Sequence, residues 1–212
     1  MTSLPSTGAD GAGRFPGFDV MSQVGHWDAA TTSVVAARLA LPVDIRFFTP
    51  QEEAVARALC DQLLDQREDP RVPVVNPIDG RLAEKQTDGW HYEGMPADDQ
   101  AWRDSLAGLE ADATMRCGAG FAAAGWTDQA TIIQAVQDLG SAQWRGMPAK
   151  RVWSLWTRYA CTAFYSHPWA WNEIGFSGPA YPRGYKNIGV GRREPYEIPD
   201  AHPGIDPARE GR

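Results

Sequence analysis

The sequence predicts an all-α fold, a small irregular bundle of about five helices with long extended N- and C-terminal segments. Capping residues and prolines are repeatedly followed by apolar residues at helical spacing, whereas no alternation of apolar and polar residues reaches strand length. Glycine and proline concentrate towards both ends of the chain. These observations divide it into an extended or disordered segment at residues 1–46, a helical domain at 47–174, and an extended tail rich in glycine, proline and aromatic residues at 175–212.

Each predicted helix begins or ends at a recognisable signal. Thr49-Pro50-Gln51-Glu52 is a capping box with proline at the first helical position. Asn76 is expected to cap the second helix, Gly118 to end the third, and Gly140 to end the fourth in the left-handed conformation. His167-Pro168 prevents the fifth helix from continuing. The predicted helices cover residues 50–66, 77–85, 98–116, 127–139 and 148–165.

The 212-residue chain is acidic, with a net charge of -7 and 43% hydrophobic residues. This composition suits one ordinary core and argues against a nucleic-acid partner, because phosphate binding needs a basic surface. Cys60, Cys117 and Cys161 lack metal-site spacing, and their odd number implies a reducing compartment or a link to a partner. Residues 1–25 lack the pattern of a secretory signal, and the apolar stretch at 34–45 is too short to span a bilayer. We therefore expect a protein that is not integral to the membrane and is cytoplasmic as the sequence stands.

No catalytic, cofactor-binding or metal-binding residue is predicted. Ser166 and His167 are adjacent, but adjacency does not place a hydroxyl in line with an imidazole, and His167 before proline is typical of a charged C-terminal helix cap. Gly184, Gly189 and Gly191 follow no strand and open no helix, as a phosphate-binding loop requires. The histidines are isolated from one another, which disfavours a metal site: His26, His91, His167 and His202.

Aromatic residues give the strongest compositional signal. Five of the nine tryptophans fall between residues 144 and 171: Trp144, Trp153, Trp156, Trp169 and Trp171. Tryptophan and tyrosine are enriched at protein interfaces, because they bury a large area and keep one polar atom. Trp153 and Trp156 lie three apart on a predicted helix, so core packing and partner binding both remain open for them.

The tail combines aromatic rings with positive charges. Phe176, Tyr181, Tyr185 and Tyr196 distinguish it from a plain linker, which would not carry rings. Arg183, Lys186, Arg192 and Arg193 form either a solvated loop or a surface complementary to an acidic partner. The predicted partner interface comprises Trp169, Trp171, Asn172, Glu173, Phe176, Tyr181, Arg183, Tyr185, Arg192 and Arg193.

Several blocks of sequence resemble one known family. Residues 166–176 (SHPWAWNEIGF) and 178–185 (GPAYPRGY) are similar to the gluconate 2-dehydrogenase subunit 3 family. Residues 47–52 (FFTPQE) and 61–64 (DQLL) resemble the first helix of that family. The resemblance extends over about residues 47–197.

This resemblance implies a small helical subunit that holds no flavin and accompanies a large FAD-containing subunit of the glucose-methanol-choline oxidoreductase type. The hetero-oligomer, for example a heterodimer, would oxidise CH–OH groups of sugars or related alcohols. The chemistry would lie in the partner, with this chain as its chaperone and stabiliser. Family members often carry a twin-arginine export signal. Residues 1–46 contain no Arg-Arg pair followed by an apolar stretch, which favours the cytoplasm over periplasmic export with the partner.

Two other classes of function are kept as alternatives. A stand-alone helical enzyme would use His167 with Asn172 or Glu173 as acid and base, since these polar side chains lie between tryptophans. A carbohydrate-binding module would use the tryptophans, whose flat rings stack on sugar faces.

Overall fold

The computed structural model describes residues 13–40, 44–90 and 92–205. Residues 1–12 of the predicted N-terminal segment and 206–212 of the predicted tail lie outside the described residues. The described chain forms two compact units. We call residues 13–40, 69–72 and 165–205 the terminal unit, and residues 44–68, 73–90 and 92–164 the helical unit.

Helices account for nearly all the regular structure, which confirms the predicted all-α class. Two short 3-10 helices lie at Val20–His26 and Phe121–Ala123. The α-helices are α1 (Ala29–Arg38), α2 (Pro50–Leu63), α3 (Val75–Ala83), α4 (Asp98–Cys117), α5 (Trp126–Asp138), α6 (Ala149–Tyr165) and α7 (Pro168–Glu173). Among the described residues, none of these helices is both long and apolar enough to cross a membrane.

The end signals of three predicted helices are confirmed. At the start of α2, Thr49 Oγ1 accepts from Glu52 N at 3.3 Å and Glu52 Oε2 accepts from Thr49 N at 2.8 Å, which completes the capping box. Helix α4 ends at Gly118, where φ is 68°. Gly140 follows α5 with a φ of 56°, the left-handed conformation that glycine adopts at low cost.

The predicted N-cap of α3 is wrong. The helix begins at Val75 and its N-cap residue is Val74, with no side-chain cap. Asn76 lies inside the helix, where its Oδ1 accepts a hydrogen bond from Arg57 Nη2 at 3.3 Å. The asparagine oxygen is therefore occupied by a side chain from α2, a contact that local sequence spacing does not reveal.

The helical unit has an aromatic core to which α4 and α6 contribute. Trp156 of α6 is fully buried and its Nε1 donates to Ser105 Oγ of α4 at 3.0 Å. Trp144 packs edge-to-face against Trp156, with ring centroids 5.6 Å apart. Trp144 belongs to a short antiparallel hairpin, β1 (Gln143–Trp144) with β2 (Met147–Pro148). Trp156 is thus a core residue, whereas Trp153 is half-buried.

The terminal unit corrects the predicted extended or disordered segment at 1–46 for residues 13–40, where the structure describes two helices. Asp19 caps the 3-10 helix Val20–His26, and Asp28 caps α1 through a 2.8 Å hydrogen bond from Thr31 N. A small core holds these helices to α7: Val20, Trp27, Val35 and Trp171, with Phe18, Met21 and Val24 partly buried against it. These helices pack against Trp171, which lies far along the chain. The segment alone is low in aliphatic residues, and for that reason the sequence predicts disorder.

The part of the tail that the structure describes, residues 175–205, contains no helix or strand. It packs within the terminal unit at two glycines. A Cβ atom on Gly175 would lie 2.4 Å from the Phe15 ring, and one on Gly178 would lie 2.3 Å from Trp27 Cζ2. Both glycines have positive φ, 66° and 75°. These positions let the tail lie directly on the aromatic rings of the N-terminal segment.

Candidate functional site

Helix α7 carries the first four residues of the predicted partner interface, and the structure separates them into core and surface. Trp171 is 4% exposed, belongs to the core of the terminal unit, and donates from Nε1 to Tyr165 O at 2.7 Å. Asn172 is buried, and its Oδ1 accepts from Val20 N at 2.8 Å. Trp171 and Asn172 are therefore internal residues, which removes them from the predicted interface. Trp169 and Glu173 are half-buried.

His167 is an N-cap rather than the charged C-terminal cap that its position before proline suggested. Its Nδ1 accepts from Trp169 N at 3.2 Å, at the first turn of α7. Burial, with a smaller effect of the Arg38 charge, lowers the pKa of His167 to about 4. The imidazole is therefore neutral near pH 7 and its Nδ1 lone pair is engaged.

Glu173 is the one predicted interface residue whose pKa is strongly raised. Burial raises the pKa of its carboxyl to about 7, because the half-buried position disfavours the charged form. The enzyme alternative would use His167 together with Asn172 or Glu173. His167 Nδ1 and Asn172 Oδ1 each accept a hydrogen bond from a backbone N–H group, which supports structural roles for both residues.

Exposed apolar side chains recur along residues 174–190, and we call this part of the C-terminal segment the 174–190 strip. Tyr181 is 65% exposed, and Phe176 and Tyr185 are also exposed, at positions the sequence predicted. The structure adds three aliphatic residues that the prediction missed: Ile174, Ile188 and Val190. Two of them, Ile188 and Val190, are isolated aliphatic residues beside glycines, and this pattern is visible in the sequence.

Arg183 anchors this segment within the terminal unit. Its Nη1 donates to Gln23 Oε1 at 3.0 Å and its Nη2 donates to Ser177 O at 3.3 Å. The guanidinium also lies 3.8 Å from the centroid of the Tyr196 ring, a cation–π distance. Tyr196 in turn donates from its hydroxyl to Gly184 O at 2.9 Å. Arg183 therefore holds the strip in place.

A second anchor, missed by the sequence analysis, is the buried carboxylate of Glu194. It accepts hydrogen bonds from Lys186 N, from Asn187 N, and from Asn187 Nδ2 at 3.1 Å. These bonds close the loop at residues 186–194. Together these three hydrogen bonds fix the shape of the loop.

Positive charges surround the loop. Lys186, Arg192 and Arg193 are exposed, and no carboxylate of the described chain forms an ion pair with any of them. Arg192 and Arg193 also line a groove of about 330 Å³, together with Phe176, Tyr185 and Tyr196. The surface thus combines exposed apolar side chains with available cations.

Neither a metal site nor a phosphate-binding turn is found among the described residues of this region. In the described part of the chain, no group of three or more His, Cys, Asp or Glu residues could hold a metal ion. Gly184, Gly189 and Gly191 lie in a stretch without helix or strand, so they do not fit the phosphate-binding turn that a flavin dinucleotide requires. Rigid apolar surface with flanking charge is suited to protein contact.

Comparison with known proteins identifies the family. The model of the gluconate 2-dehydrogenase subunit 3 family matches residues 50–178, which is more than half of the chain. The match covers α2 to α7 and ends at Gly178, where the tail lies on Trp27. Neither the search of curated proteins nor the search of solved structures gives a match. On the extent of the family match, the chain belongs to the gluconate 2-dehydrogenase subunit 3 family.

Proposed function

We propose that this chain is a non-catalytic small subunit that binds and stabilises a large FAD-containing subunit of a sugar or alcohol dehydrogenase or oxidase. Membership in a family named for a dehydrogenase subunit implies a partner. The proposal places FAD and the oxidation of the CH–OH group in that partner. It gives this chain the roles of assembly and stabilisation.

The observation that carries the proposal is the 174–190 strip. Its apolar side chains are exposed, while hydrogen bonds within the chain hold its backbone in place. An extended segment without internal contacts would lose much conformational entropy on binding a partner. Here Arg183 and Glu194 already hold the backbone, so less ordering remains for association. Each fully buried aliphatic or aromatic side chain contributes roughly 1.5–3 kcal/mol, which makes the strip a suitable docking surface.

Co-expression tests the proposal. The tagged chain is produced together with a candidate FAD-containing large subunit, and the tagged material is purified and analysed by light scattering and by flavin absorbance. We expect a yellow complex of defined stoichiometry. We also expect the flavoprotein to have a lower melting temperature when it is produced without this chain, because binding to the folded state stabilises it. Recovery of this chain alone, colourless and monodisperse, would contradict the proposal.

The enzyme alternative is tested in the same complex by His167→Asn, which keeps an oxygen to cap α7 and removes the imidazole. If the chain is non-catalytic, the variant complex turns over at the wild-type rate. A large loss of kcat with an unchanged yield of complex would favour the enzyme. For a carbohydrate-binding module, calorimetry on the isolated chain would show saturable sugar binding.

A further inference from the structure

The most exposed apolar residues of the described chain lie together at the end of one loop. Ile188 is 85% exposed and Val190 is 107% exposed. They alternate with Gly189 and Gly191, and a hydrogen bond from Arg192 N to Gly189 O at 3.2 Å closes the turn. We call residues 188–191 the apolar tip. Neither side chain gains burial from this fold, so their placement gives no stability to the isolated chain.

Hydrogen bonds to Glu194 hold the loop that carries the apolar tip in a fixed shape. The Glu194 carboxylate accepts from the backbone N–H groups of Lys186 and Asn187, which joins the two ends of the loop. Glu194 is itself 6% exposed, so water competes little for these hydrogen bonds. A rigid loop that presents two aliphatic side chains can enter a pocket with little further loss of conformational entropy.

The charges beside the apolar tip are positive and available. Lys186 precedes it in the sequence, and Arg192 and Arg193 follow it, all exposed and without an ion pair in the described chain. The whole protein has a net charge of -7, so this cluster is a local exception. Available cations around an apolar centre are complementary to an apolar pocket that is surrounded by carboxylates.

We propose, on the basis of the function proposed above, that the apolar tip inserts into an apolar pocket on the flavin-containing subunit whose rim carries carboxylates. A protein pocket suits this loop better than a lipid surface for two reasons. First, two small aliphatic side chains without a tryptophan insert little apolar area into a bilayer. Second, the protein has a net charge of -7, so anionic lipids repel it, and three local cations do not offset this repulsion.

The test compares two double variants for binding to a purified candidate FAD-containing large subunit. Ile188→Ser with Val190→Ser removes the apolar tip. Ile205→Ser with Val34→Ser is the matched control, because it makes the same two replacements at other exposed positions of the terminal unit. We expect the first pair to raise Kd by about 30-fold or more, the effect of losing an interface hot spot, and the control to change it little. Both variants should keep the wild-type melting temperature, because all four side chains are exposed.

A third variant tests the charges. In Arg192→Gln with Arg193→Gln, the association rate constant should fall and should depend less on salt concentration than in wild type. If the salt dependence of the association rate constant is unchanged in this variant, the proposal of a carboxylate rim around the pocket is wrong.

Three outcomes overturn the inference, and one of them also concerns the proposed function. If the wild-type chain does not bind the flavoprotein, the proposed function fails and the inference fails with it. If wild type binds and Ile188→Ser with Val190→Ser binds equally well, the proposed function stands and the inference alone is wrong. The inference is also wrong if the apolar tip is needed for co-sedimentation with phosphatidylserine-containing vesicles while flavoprotein binding is unaffected.

Discussion

Replacing Gly178 by alanine should selectively loosen the terminal unit. Two costs add at this position. Gly178 has a φ of 75°, which costs a residue with a Cβ atom about 1–2 kcal/mol. The new Cβ would also lie 2.3 Å from Trp27 Cζ2, and relieving such overpacking against a ring in a core costs about 1–3 kcal/mol. We therefore expect Gly178→Ala to destabilise the terminal unit by about 2–5 kcal/mol.

Hydrogen exchange followed by mass spectrometry measures this effect separately in each unit. Under conditions where reclosing is faster than exchange, amides of α1 should exchange about 100-fold faster, since every 1.4 kcal/mol corresponds to a factor of ten. Amides of α4, in the helical unit, should be unaffected. Gly184→Ala is the matched control, because Gly184 has a φ of 72° but a Cβ atom there would meet no other atom within 4 Å. Equal acceleration in the two variants would show that the approach of the tail to Trp27 contributes nothing.

Three further predictions follow from ionisation and burial. The pKa of Glu173 is raised to about 7 from 4.5, so its protonated form is favoured by folding, and Glu173→Gln should gain stability over wild type as pH rises from 4.5 to about 7. The pKa of His167 is lowered to about 4 from 6.5, so His167→Asn should gain stability over wild type as pH falls from 6.5 to about 4. Melting temperatures measured between about pH 4 and 7 check both predictions. A stability difference from wild type that changes in the same direction with pH for the two variants would contradict them. Burial raises the pKa of the Cys60 thiol, whereas Cys161 is exposed, so maleimide should label Cys161 long before Cys60 in the folded chain; equal rates in intact-mass spectra would refute this.

Local signals explain why the helical unit was predictable. The capping box of α2 lies within the stretch from Thr49 to Glu52, so sequence alone contains both partners of its hydrogen bonds. Gly118 and Gly140 are likewise read from local conformational preference. Asn76 shows where such reasoning fails, because Arg57 supplies its hydrogen-bond donor from another helix.

The terminal unit was missed because long-range contacts stabilise it. Asn172 accepts from Val20 N across 152 residues, and Trp171 packs beside Val20 and Val35. Local signals for these helices did exist. Asp28 precedes α1 as an N-cap, and His167-Pro168 is a cap followed by proline at the first helical position of α7. Pro168 both prevents α6 from continuing and begins α7, whereas the sequence analysis predicts only the first of these roles.

The sequence predicts a partner interface in the C-terminal segment, but it does not distinguish the residues that hold this segment in place from those that are exposed. Trp169 and Trp171 lie two apart on a short helix, yet only Trp171 enters the core. Arg183 reads as one more available cation, whereas in the structure it donates to Gln23. Side-chain direction in a segment without regular periodicity depends on the surface beneath it, and here that surface comes from residues near the N-terminus.

The most direct test of the account is hydrogen exchange of the chain free and in complex with the co-purified flavoprotein. If the 174–190 strip and the apolar tip dock on the partner, peptides covering residues 174–193 should become protected in the complex, and peptides covering α4 should not change. Protection confined to the helical unit, with residues 174–193 exchanging at the same rate in both states, would contradict the central claim.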